Sequence, residues 1–244
     1  MVEGRRRGGR QAVVTCGEAV ATVPAMPTAT TGRARRPTGF SLIEILVVIT
    51  IIGLLMTIGF GPVQNALESG RVTKCRKQLS DLGQSMLIYK DQNNKGKWPK
   101  ESGMRFLLRL HKAGLVAGRN SETFLCPGTP DINDTGPSGE PGSAYEDWDN
   151  IDSTTISYAG RDQEAYPFKG GDASTVVVAS DDNEGRPNHR KVTNILYADG
   201  STGTFDISSE QAEAILAEFP EVEETGLPIG PDCPYEPLQV LRVD

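Results

Sequence analysis

From Phe40 to Phe60 the chain reads "FSLIEILVVITIIGLLMTIGF", apolar at nearly every position, with one charge, Glu44, near its start. At 1.5 Å per residue a helix of that length reaches roughly 30 Å, the thickness of a hydrocarbon core. Gly59, Gly61 and Pro62 close the run. Because Gly and Pro weaken the helical ladder, a kink or a melted turn is expected there. The pattern then changes. Val72, Cys75, Leu79, Leu82, Met86 and Tyr89 alternate three and four apart. That spacing lines one face of an amphipathic helix, so residues 62–90 are predicted to pack on a globular body.

"DQNNKGKWP" ends this helix. Phe106, Leu107, Leu110 and Leu115 predict a short helix over Met104–Val116, with His111 as a surface residue of no special role. Next comes "FLCPGTPDINDTGPSGEPGSAYEDWDNID", dense in Gly, Pro, Asp and Ser. It reads as a long loop, and a loop of that length in a compact domain points to a functional or variable surface. Strands are predicted at Thr155–Arg161, Thr175–Ser180, Thr193–Ala198 and Thr202–Ile207. The last two flank Asp199-Gly200, a hairpin signal because Gly supplies positive φ in a tight turn. Ser208–Phe219 reads as a helix capped by Ser208 or Ser209, with Ala212, Ile215, Leu216 and Phe219 on one face. Residues 229–244 are Pro-rich and read as an extended tail. The sum is an α+β architecture: a long N-terminal helix packed on a small antiparallel sheet, the globular part spanning residues 91–228.

Charge divides the chain of 244 residues unevenly. Residues 1–39 hold seven Arg and two Glu, whereas the remainder holds 18 basic against 30 acidic side chains. An acidic body offers no Lys/Arg surface to a phosphate backbone, so nucleic acid is not an expected partner. The basic start reads as a targeting leader. No small-x-small cleavage site follows the apolar run, so the run stays attached and serves as a membrane anchor. Cations flank it on both sides (Arg33, Arg35 and Arg36; then Arg71, Lys74, Arg76 and Lys77), and charge alone leaves its orientation open.

The chain has two His, no Gly-x-Ser-x-Gly and no HExxH, so nothing organises a catalytic constellation and an enzyme is not expected. Its four Cys (16, 75, 126 and 233) form no CxxC pair, which argues against a zinc site built from thiolates. Cys75 with Cys126 is the candidate disulfide.

Basic residues, then Gly39-Phe40, an apolar stretch, and Glu44 at the fifth position after the Gly: this register resembles the type IV prepilin signal, shared by pilins and type II secretion pseudopilins. The resemblance implies cleavage by prepilin peptidase between Gly39 and Phe40 on the cytoplasmic side of the bacterial inner membrane. It also implies N-methylation of the new Phe40 amine and a single-pass subunit whose C-terminal body is periplasmic. Leaders in this family are short, and a start at Met26 would leave one of 14 residues.

Glu44 then acquires a role. An acidic side chain in a membrane helix costs on the order of 2.5–3.5 kcal/mol at the centre and less near the interface. The family plan pairs it with the cationic Phe40 amine of a neighbouring subunit, and low dielectric makes such a pair directional. Expected partners are therefore prepilin peptidase, other pilin or pseudopilin subunits in a fibre, the inner-membrane assembly platform and membrane lipid.

His189, nine residues, then Asp199-Gly200 resembles the H-x9-DG signature of proteins that share this N-terminal signal; the bland alternative is a loop His and a simple turn. Acidic runs at "EDWDNID" and "SDDNEG" raise the question of calcium, which takes six to eight oxygens from flexible loops. Major pseudopilins are similar in plan and hold calcium in a late loop, which makes Asp181, Asp182, Asn183 and Glu184 the candidate ligands. No other cofactor is required. The first reading is a type II secretion pseudopilin; a type IV pilus pilin and a membrane-tethered binding module stay open beside it.

Overall fold

A computed structural model describes residues 39–169, 172–181, 188–189 and 191–244; the side chains of residues 58–62 and Asn93 are not described. The predicted leader, apart from Gly39, thus lies outside the described residues, as does Cys16. Contacts divide the chain into two compact units, Met1–Ile51 and Ile52–Asp244. In the first unit Phe40, Leu42, Ile43 and the apolar residues after them are exposed.

Helix α1 (Leu42–Ile88) accounts for most of the predicted helical span. Its backbone is helical through Gly59, Gly61 and Pro62, so the expected melted turn is not present. A single π-helical turn, Tyr89–Asn93, follows. No helix among the described residues is long and apolar enough to cross a membrane; the predicted run includes residues 58–60, whose side chains lie outside the description.

Within the second unit the predicted stripe is buried as its spacing requires. Cys75, Leu79, Leu82, Met86 and Tyr89 are buried and Val72 half-buried. Each fully buried Leu contributes about 1.5–3 kcal/mol over an exposed one. Helix α2 (Met104–Lys112) turns Met104, Phe106, Leu107, Leu108 and Leu110 inward. It ends before the predicted Val116 because Ala113 caps it and Gly114 takes a left-handed φ of +74°.

The sheet has five strands, β1 (Ala159–Arg161), β2 (Val177–Ser180), β3 (Val192–Tyr197), β4 (Thr202–Asp206) and β5 (Leu241–Arg242), in the order β4-β3-β2-β1-β5. Every neighbouring pair is antiparallel. Side chains alternate across it. Leu196, Ala198 and Val178 join the α1/α2 core, whereas Ile195, Phe205 and Val177 join a second core. Helix α3 (Glu210–Glu218) adds Ala212 to that second core, and the C-terminal residues Leu238 and Leu241 complete it. The predicted extended tail is therefore only partly extended: it carries a 3-10 turn at Glu236–Leu238 and supplies the edge strand β5.

Asp199-Gly200 forms the β3–β4 turn, with Gly200 at φ +83°. A Cβ on Gly83 of α1 would meet Leu196 Cδ1 at 2.6 Å and the Gly200 Cα at 3.2 Å, so helix and hairpin turn meet backbone to backbone. Ser209 occupies the N-cap of α3 but does not cap with its side chain; its hydroxyl donates back to the Asp206 carbonyl at 2.5 Å. The long loop after Phe124 is tied down rather than free. Buried Asn133 donates to the Ser121 carbonyl, and Tyr145 Oη donates to the Thr155 carbonyl at 2.6 Å. His111 lies against the Tyr145 ring and hydrogen-bonds the Val116 carbonyl oxygen.

Candidate functional site

At the start of α1, Gly39 and Phe40 are exposed and precede the first helical turn. Ser41 and Glu44 stand three apart, and the Ser41 amide donates to Glu44 Oε2 at 2.8 Å. The Glu44 amide in turn donates to the Ser41 carbonyl. This is the carboxylate half of a capping box, for which "SLIE" is the sequence signal. Glu44 therefore holds its own helix terminus within the chain.

A second constellation is built inside the body. Glu68, Val72 and Cys75 continue the apolar stripe of α1 backwards at the same four-and-three spacing, so all three face the sheet. Cys126 opens a turn, Cys126-Pro127-Gly128-Thr129, closed by the Thr129 amide on the Cys126 carbonyl. Asp181 and His189 flank the β2–β3 connection. Four distant segments thereby bring their side chains together. Cys126 Sγ lies 3.3 Å from His189 Nε2. Asp181 Oδ2 lies 3.6 Å from the same nitrogen. The ligand atoms of Cys75, Cys126 and His189 all fall within 4.8 Å of one another.

Each member is held from behind. His189 Nδ1 meets Glu68 Oε1 at 3.0 Å. Asp181 Oδ1 accepts from the Asn194 amide at 2.7 Å, and its Oδ2 accepts from the Asn194 side chain. Tyr158 Oη lies 3.3 Å from Cys75 Sγ. The Gly128 amide donates to Cys126 Sγ at 3.4 Å. Gly128 is required there: a Cβ would stand 2.6 Å from the Asn188 carbonyl and 3.2 Å from the His189 ring.

The group is sealed, with Cys75, Cys126, Asp181 and His189 all 2% exposed or less. Burial pushes the Asp181 carboxyl up to about 7, against the charge of His189 and the bonds from Asn194. The hydrogen bond from Cys75 is the largest influence lowering Cys126 to about 6, with His189 and Gly128 helping against burial. Cys75 is driven far up, by burial first. Burial alone would lower His189, but Cys126, Asp181 and Glu68 together raise it to about 9. The arrangement thus supports an imidazolium opposed to a thiolate. With Nδ1–H committed to Glu68, it equally supports a neutral imidazole presenting the Nε2 lone pair beside two sulfurs. So little exposure leaves no room for a substrate and favours a structural use of the thiols.

Cys75 and Cys126 are neighbours, as the candidate disulfide required, but stand as separate thiols. Of the candidate calcium ligands, Asp181 turns into the protein, while Asp182, Asn183 and Glu184 lie outside the described residues. His189 and Asp199-Gly200 stand at opposite ends of β3, and both touch α1, at Glu68 and Gly83, about four helical turns apart. Glu68 lies one step back along the stripe, four residues before Val72. The two thiols meet only through tertiary packing, which the absence of CxxC does not address.

Residues 34–60 match a family described as the prokaryotic N-terminal methylation motif. That match supports a type IV pilin-like protein and implies processing by prepilin peptidase and pilin-type assembly. No curated protein and no solved structure matches the chain.

Proposed function

We propose that the chain is a pilin-like structural subunit of a bacterial type II secretion pseudopilus. Prepilin peptidase removes residues 1–39 and methylates the new Phe40 amine. The apolar stretch Phe40–Phe60 then anchors the subunit in the inner membrane, with the α+β body in the periplasm, and later packs in the fibre core. The observation that carries this reading is the methylation motif at residues 34–60, set at the head of a helix whose other end packs on an antiparallel sheet. The exposed row from Phe40 to Met56 agrees with it, because so much apolar surface calls for lipid or neighbouring helices.

In the fibre, Glu44 exchanges its bond to the Ser41 amide for the Phe40 amine of an adjacent subunit. An isolated amine or carboxylate in that low dielectric is costly, so the pair sets the axial register. The test is a deletion of the gene with two readouts, surface filaments and exported protein. Loss of export with filaments unchanged supports the pseudopilus. Loss of filaments with export unchanged assigns the subunit to a type IV pilus, and a subunit that never multimerises assigns it to a tethered binding module.

A further inference from the structure

We propose that Cys75, Cys126, His189 and Asp181 form a zinc site that fastens helix α1 to the sheet. Two sulfurs, one imidazole nitrogen and one carboxylate oxygen are a donor set that zinc takes in tetrahedral sites. Soft thiolates select zinc over calcium or magnesium, which prefer oxygen. Around a tetrahedral zinc, with bonds of about 2.3 Å to sulfur and 2.0–2.1 Å to nitrogen, ligand atoms sit roughly 3.3–3.8 Å apart. The Cys126–His189 separation of 3.3 Å and the His189–Asp181 separation of 3.6 Å already have that spacing. Cys75, Cys126 and His189 place their ligand atoms within 4.8 Å of one another, and Asp181 joins them through its approach to His189.

The surroundings are those of a metal centre. A ligating His gives its other ring N–H to a carboxylate, which fixes the tautomer and turns the remaining lone pair to the metal. Glu68 stands in that position, 3.0 Å from Nδ1. The Gly128 amide is placed to stabilise the Cys126 thiolate, and the Tyr158 hydroxyl lies 3.3 Å from Cys75 Sγ. Two bonds from Asn194 orient Asp181. A groove of about 500 Å³, lined by Glu68, Val72, His189 and Lys191, lies on the Glu68 side of the imidazole.

The consequence is structural. One ion ties α1 (Cys75) to the Cys126 turn and to both ends of the β2–β3 connection. That pins the end of β3 opposite the Asp199-Gly200 turn, which already docks on α1 at Gly83. The proposal does not depend on the fibre reading and is tested without it.

The full chain, purified in detergent under reducing conditions, is analysed for metals and expected to hold one zinc. Cys126→Ser and His189→Ala should lose it. Cobalt in its place should give the strong visible absorption of a tetrahedral ion and a near-ultraviolet thiolate band, both absent in Cys75→Ser. Substitution at a buried ligand can unfold the body, so Glu68→Gln supplies the second arm. That chain should keep its circular dichroism and the melting point of its zinc-free form, while its zinc affinity falls roughly 10–100-fold. The proposal is overturned by a folded, reduced wild-type chain that takes up no zinc. It is also overturned by zinc bound equally by all four variants, or by a Cys75–Cys126 disulfide in the isolated chain.

Discussion

Helix α1 carries two glutamates, Glu44 and Glu68, and the two are partnered in different ways. Glu44 sits in an exposed apolar stretch and bonds an amide three residues away on its own helix. Glu68 bonds His189, a residue 121 positions along the chain whose side chain is 1% exposed. The apolar residues around Glu44 are exposed among the described residues, whereas those after Glu68 are covered by α2 and the sheet. On the proposed reading, neighbouring subunits finish the first region, and the chain itself with the proposed zinc finishes the second. Damage should therefore separate: changes in the first region abolish assembly and spare the body, and changes in the second do the reverse.

The largest effect is expected at Glu44. Removing one partner of a buried ion pair costs about 3–5 kcal/mol, so Glu44→Ala should still be cleaved and methylated but not recovered in fibres. Its melting temperature should equal wild type, and a lowered one would show that the two regions are coupled. Zinc removal is the converse experiment. An ion present at about a thousand times its dissociation constant stabilises the folded state by about 4 kcal/mol, so a chelator should lower the melting midpoint of the body by that equivalent without altering N-terminal processing. Leu79→Ala, at a fully buried position on the same helix face, should cost about 2–5 kcal/mol in denaturant unfolding. Gly200→Ala forces a side chain into φ +83° beside Leu87 and should cost about 1–2 kcal/mol, visible as a lower midpoint with an unchanged slope. The smallest effect is expected at Lys77→Ala. Its 2.6 Å pair with Asp81 is exposed on α1, and the loss should stay below about 0.5 kcal/mol.

The two regions also differ in how far they can be read from sequence. The apolar run, Gly39-Phe40 and Glu44 are local, and so is the three-and-four spacing from Val72 to Tyr89; each is a period or a short motif that survives without knowledge of the fold. The hairpin is legible for the same reason, since Asp199-Gly200 forces a turn whatever packs around it. The Cys75–Cys126–Asp181–His189 cluster is not local. Its members come from a helix, a turn and the two ends of a strand connection, and the CxxC criterion tests only neighbouring thiols. Strand β5 escaped notice because it is two residues long and follows a Pro-rich stretch; only its pairing with β1 makes it a strand. Asp181 reads in sequence as one of a run of candidate calcium ligands, yet the backbone turns it toward Asn194 and leaves it 1% exposed.

The central claim is that the chain becomes a mature subunit when Gly39-Phe40 is cut and the new terminus is modified. Mass spectrometry of the membrane-associated protein tests it directly. The predicted result is an N-terminal peptide beginning with methylated Phe40. A peptide that retains residues before Gly39, or one that begins with an unmodified residue elsewhere, would contradict it.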